Sequence, residues 1–110
     1  MPTQRLSSPN SPSEDEFQSA VLQLAQLLGY QLRYHNPDSR RSQAGFPDLV
    51  LGSSSRKRLL FRELKTDTGR VSPAQRVCME ILNLAGANAA VWRPQDLRSG
   101  RIERELRGDK

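Results

Sequence analysis

Asp48, Glu63 and Lys65 are the residues of this chain whose types and spacing suit a chemical task. Hydrolysing a phosphodiester calls for a hard divalent cation, which neutralises charge on the phosphate and lowers the pKa of an attacking water, and carboxylates are the ligands such an ion takes. Asp48 and Glu63 supply two of them. Lys65 follows Glu63 by two residues, the side-chain repeat of a β-strand, so in extended backbone its ammonium leaves the same face as the carboxylate. There it can orient or deprotonate the water, given a cation close enough to lower its pKa, or stabilise charge in a pentavalent transition state. The backbone carbonyl of Leu64 can add another hard oxygen ligand.

Such a site forms only if other elements bring positions 48 and 63 together. Asp48 to Leu51 is a short apolar run closed by Gly52 and three serines, a strand and a tight turn. Arg58 to Lys65 reads as the next strand, with Leu59, Phe61, Glu63 and Lys65 on one face and Leu60 and Leu64 on the other. Paired as a hairpin, the two strands place Asp48 beside Glu63. Upstream, Ser13 precedes Glu16 at capping-box spacing, and Phe17, Ala20, Val21, Leu24 and Leu28 recur at helical intervals until Gly29 ends the run. Tyr30, Leu32 and Tyr34 then alternate with polar residues, the pattern of a half-buried strand, and His35 to Phe46 is a polar loop.

Downstream, Ser72, Pro73 and Gln75 form a second helix start, followed by Val77, Cys78, Ile81, Leu84 and Ala85 and a stop at Gly86. Asn88 to Arg93 is a fourth strand halted by Pro94, and the remainder reads as turns with a short terminal helix. The fold class expected is α/β, in the order α-β-β-β-α-β. Residues 1–13 hold three prolines and four serines with almost no apolar content, so they read as a flexible tail ahead of one domain spanning residues 14–110.

The chain of 110 residues suits a single core. Its one cysteine, Cys78, cannot form an internal disulfide, and with one histidine, His35, it lacks the cluster that structural zinc requires, so any metal should be held by oxygen. No membrane span or signal peptide is apparent, and a soluble, cytoplasmic protein of a prokaryotic or phage-infected cell is the expectation. Lysine and arginine total 17 against 12 acidic residues, a formal charge of +5, and all the basic residues except Lys57, Lys65 and Lys110 are arginine. Guanidinium forks pair well with phosphate, so the balance favours a polyanionic partner, although a solvated basic surface would have the same composition.

Gly45-Phe46-Pro47-Asp48-Leu49, Phe61-Arg62-Glu63-Leu64-Lys65 and Ser72-Pro73-Ala74-Gln75 together resemble the VRR-NUC branch of the PD-(D/E)XK nucleases, over roughly Glu16 to Leu97. The resemblance implies a restriction-endonuclease-like core, a mixed four-stranded sheet flanked by helices. It implies Mg²⁺ or Mn²⁺ held at Asp48 and Glu63, Lys65 as the catalytic lysine, Gln75 near the site and Glu16 as the first-helix carboxylate. Glu16 and Gln75 each have a second explanation, because both sit at capping-box positions.

Arg40 and Arg41, in the loop entering the catalytic strand, are the candidates for DNA-backbone contacts, with a solvated pair as the alternative; His35 is a weaker candidate, since a lone histidine is more often a surface hydrogen-bonding residue. Trp92, Tyr30 and Tyr34 read as core or interface residues. The function these residues support is a metal-dependent DNA endonuclease. With no separate module for reading bases, it should select DNA structure, and stand-alone members of the family resemble Holliday-junction resolvases. Two symmetric cuts need two sites, hence an expected homodimer on branched DNA. The competing readings are a non-catalytic DNA-binding or scaffold module of a replication and repair complex, and a restriction-type nuclease that reads a short sequence.

Overall fold

The computed structural model describes residues 13–36 and 43–108. The elements run α1 (Glu14–Leu27), β1 (Leu32–His35), β2 (Leu49–Ser53), β3 (Arg58–Leu64), α2 (Pro73–Leu84), β4 (Ala89–Trp92), α3 (Pro94–Arg98) and α4 (Arg101–Arg107). This is the expected order, with the charged C-terminal segment forming two short helices. The strands make one mixed four-stranded sheet in the order β1-β2-β3-β4. β1, β2 and β3 are successive antiparallel neighbours, and β4 returns parallel to β3 through α2.

The alternation read along β3 is the alternation observed. Leu60 and Leu64 are buried in the main core with Leu49 and Leu51 of β2, Phe17, Val21 and Ala25 of α1, and Ile102 and Leu106 of α4. The opposite face carries Leu59, Phe61 and Glu63, and α2 lies there, since its first turn reaches Glu63. Both long helices begin with complete capping boxes: Ser13 with Glu16, and Ser72 with Gln75. Each fixes where its helix starts, and hence which side chains of the first turn face the sheet.

One expectation needs correction. The strand read from Tyr30 is shorter, and its four residues Leu32–His35 are all exposed. Tyr30 is fully buried ahead of the strand, its hydroxyl donating to the Leu106 carbonyl at 2.7 Å, whereas Leu32 and Tyr34 are about half exposed. β1 is an edge strand, and among the described residues no helix covers its second face, so alternation in sequence did not translate into burial. Arg62, which the apolar pattern passed over, lies on the core face of β3 at 2% exposure. Its guanidinium is 4.8 Å from the Trp92 ring centroid and 3.1 Å from the Glu105 carboxylate, joining β3, β4 and α4. The Ser/Pro-rich segment falls, except for Ser13, outside the described residues. No helix among the described residues is long and apolar enough to cross a membrane.

Candidate active site

Asp48 immediately precedes β2, where its carbonyl accepts the Asn36 amide at 2.8 Å and continues the β1–β2 ladder. Its carboxylate reaches across to β3, with Oδ2 accepting the Leu64 amide at 2.9 Å. That bond fixes the carboxylate against the strand that carries Glu63 and Lys65. Glu63 is 3% exposed. Its Oε2 accepts Gln75 Nε2 at 2.9 Å and lies 3.7 Å from Lys65 Nζ, while its Oε1 is buried with no hydrogen-bond partner among the described residues.

Two carboxylates this close, one of them buried, are poorly stabilised as anions. Burial pushes the Glu63 carboxyl up from 4.5 to about 7; the charge of Asp48 adds to the rise, and Lys65 opposes it. Lys65 offsets only part of the negative charge, and a buried carboxylate oxygen without a partner among the described residues is what a hard cation would satisfy. The donor set therefore fits a divalent ion. Among the described residues no cluster of three or more His, Cys, Asp or Glu side chains is assembled for a metal, so the other ligand positions would fall to water, backbone oxygen and phosphate, as suits Mg²⁺.

The site opens into a cleft lined by Glu14, Ala44, Gly45, Phe46, Asp48, Glu63, Lys65, Ser72 and Gln75. Gly45 has φ +80°, and a Cβ there would lie 2.2 Å from the Ala74 carbonyl oxygen and 2.7 Å from the Gln75 nitrogen. Only glycine allows the 45–48 segment to run against the first turn of α2. Phe46 packs edge-on against Phe61 at 6.0 Å between centroids and holds the same segment to the sheet.

The structure thus brings together Asp48, Glu63, Lys65 and Gln75, and the peptide of Leu64 meets Asp48 through its amide. Gln75 makes both contacts at once: Oε1 accepts the Ser72 amide in the capping box while Nε2 donates to Glu63. Glu16 turns back to its own cap, Oε1 accepting the Ser13 amide at 2.8 Å, and the first-helix carboxylate that lines the cleft is Glu14. Sequence reasoning missed Glu14. The capping box accounts for Glu16 but does not choose between Glu14 and Asp15, the other acids of the first turn, so the sequence did not mark it. His35 is exposed at the end of β1, opposite Leu49 in the register and outside the cleft lining. Arg40 and Arg41 lie outside the described residues.

A mixed sheet with Asp48 at the start of one antiparallel strand and Glu63 and Lys65 at the end of its partner defines a restriction-endonuclease-like α/β domain. The model of the VRR-NUC domain family matches residues 4–96, and the chain belongs to that nuclease family. A solved structure described as a VRR_NUC domain protein is similar with a TM-score of 0.67 and 26% identity, over 90% of this chain and 93% of that one. A Fanconi-associated nuclease 1 homolog of Schizosaccharomyces pombe (strain 972 / ATCC 24843) is 40% identical over 45 residues, 41% of this chain. The matched stretch spans 6% of that relative's length.

Proposed function

We propose that this chain is a divalent-metal-dependent endonuclease that hydrolyses DNA phosphodiesters and selects branched DNA, with a four-way junction as its substrate. The observation that carries the reading is the buried Glu63 Oε1, unpartnered among the described residues, beside Asp48, with the Lys65 ammonium 3.7 Å from the other Glu63 oxygen. Asp48 and Glu63 would hold Mg²⁺ or Mn²⁺, with the Leu64 carbonyl as a further oxygen donor on this reading. When bound, the ion neutralises phosphate charge and makes a coordinated water more acidic.

The remaining chemistry falls to the protein. Lys65 takes the water's proton if its amine is neutral when the water attacks; if it stays an ammonium it stabilises charge on the pentavalent phosphorus and the water's proton passes to solvent. The water oxygen bonds to phosphorus, one ester oxygen departs, and a proton from solvent completes the leaving hydroxyl. Gln75 holds Glu63 through Oε2, which would leave Oε1 available to an ion. The 45–48 segment and the first turn of α2 form walls of the cleft.

Paired cuts across a junction require two sites, so the active form proposed is a homodimer. The exposed apolar residues Val77, Ile81 and Leu84 of α2 support self-association. The test is cleavage of end-labelled junction, flap and plain duplex DNA in Mg²⁺, Mn²⁺ or chelator, with Asp48→Ala as the control. Symmetric paired cuts in the junction, lost in chelator and in the variant, are expected. Tight binding without cleavage would leave a DNA-binding module instead, and cutting at one short sequence in unbranched DNA would leave a restriction-type enzyme.

A further inference from the structure

Most arginines of the described chain are committed to its own fold. Arg56 and Arg58 donate to backbone carbonyls, Arg62 lies in the core, and Arg98, Arg101 and Arg107 pair with acids. Arg70 and Arg76 are different. Both are exposed; Arg70 makes no hydrogen bond or ion pair to another described residue, and Arg76 makes one long bond of 3.3 Å to the Val71 carbonyl. They line a second cleft with the 69–73 segment and Arg93, whose guanidinium is engaged by backbone carbonyls, and no carboxylate lines it. Ser72 lines this cleft and the candidate active site alike, so the two adjoin across the first turn of α2.

The segment that presents Arg70 is held from several sides. Arg93 Nη1 donates to the carbonyls of Thr66 and Gly69 at 2.7 and 2.8 Å. Asp67 accepts the Gln95 amide at 3.1 Å and Arg98 Nη2 at 3.2 Å. A basic side chain on a clamped loop loses less freedom when it binds than one on a loose loop, and a guanidinium fork matches the oxygens of a phosphate. A cleft of this charge, continuous with a site that cuts phosphodiesters, is suited to the phosphates that flank the cut.

We propose that Arg70 and Arg76 form a phosphate-binding groove that seats the DNA strand next to the scissile bond, an inference that rests on the nuclease reading above. Such contacts carry no base information, so the groove adds affinity and register without sequence preference.

The test is equilibrium binding of a fluorescent DNA duplex and a four-way junction in chelator, across a salt series, for the full-length wild type, the Arg70→Gln/Arg76→Gln double variant and Arg104→Gln. Arg104 is an exposed arginine of α4, outside both clefts, and controls for net charge. For each phosphate that the protein no longer neutralises, the slope of log affinity against log salt should become shallower by roughly 0.9, hence about 1.8 for the double variant on duplex, with the same slope as wild type in Arg104→Gln. In Mg²⁺ the double variant should raise KM by at least about tenfold and leave kcat within about threefold, as expected for loss of uniform binding. An unchanged slope and KM in a double variant with wild-type melting temperature would overturn the groove while leaving the nuclease reading intact. A wild type that neither binds nor cuts DNA would overturn both.

Discussion

Gln75 Nε2, in the first turn of α2, donates to Glu63 Oε2 near the end of β3 at 2.9 Å, while the same side chain caps its own helix through Oε1. One residue therefore couples the start of a helix to the orientation of a buried carboxylate. Gln75→Ala should lose the cap and the bond together, lowering stability by about 1 kcal/mol. Because a hydrogen bond to a charged group contributes about 1.5–3 kcal/mol, kcat/KM should fall roughly 10- to 150-fold. Gln75→Glu keeps a capping acceptor and places a second acid against Glu63, so thermal melting should show the cap retained while cleavage assays show activity lost.

The Glu63 carboxyl, raised to about 7, makes the metal-free protein pH-sensitive in a defined direction. Its folded pKa exceeds the unfolded value, so its contribution to stability is complete below about pH 4.5 and is lost as pH rises through about 7. The loss corresponds to about 3 kcal/mol. Melting in chelator should therefore show a declining midpoint between pH 5 and 8, and Glu63→Gln should flatten the decline. A wild-type profile as flat as that of the variant would show that burial does not perturb this group.

If the site takes a divalent ion as proposed, the same proton would compete with it. Mg²⁺ or Mn²⁺ affinity, followed by calorimetry, should weaken as pH falls below about 7, with proton release on binding at neutral pH. Asp48→Ala should abolish both the binding and the cleavage.

Gly45→Ala tests the close approach of the 45–48 segment to α2. The added methyl cannot coexist with the Ala74 carbonyl at 2.2 Å, and φ +80° disfavours any side chain, so the segment and the helix must separate. Melting should report a loss of about 2 kcal/mol or more, and activity should fall further than stability because Gln75 moves away from Glu63. Wild-type activity in this variant would remove the segment from the architecture of the site.

Arg62 gives the converse case, a buried charge that serves the fold. Arg62→Ala leaves Glu105 without its buried partner and opens space beside Trp92, at a cost of about 3 kcal/mol by chemical denaturation. At temperatures where the variant remains folded its kcat should match wild type, since the side chain points away from the cleft.

The sequence alone determined a good deal. The period of two in β3 placed Glu63 and Lys65 on one face, the two capping boxes set the helix starts, and the short turn after Leu51 made the pairing that brings Asp48 across from that strand. These are local effects, decided by backbone geometry over a few residues, and local geometry is legible in a chain. Tertiary structure decided the rest. Whether the second face of β1 is covered, which acid of the first turn of α1 faces the cleft, why residue 45 must be glycine, and which arginines stay uncommitted all depend on partners distant in sequence. Leu32 and Tyr34 alternate as a buried strand would, yet burial depends on what packs above them. Arg62 looks like a surface residue until Glu105, Asn88 and Trp92 converge on it from later in the chain. A periodic pattern fixes the face on which a side chain leaves the backbone; only the assembled fold decides what that face meets.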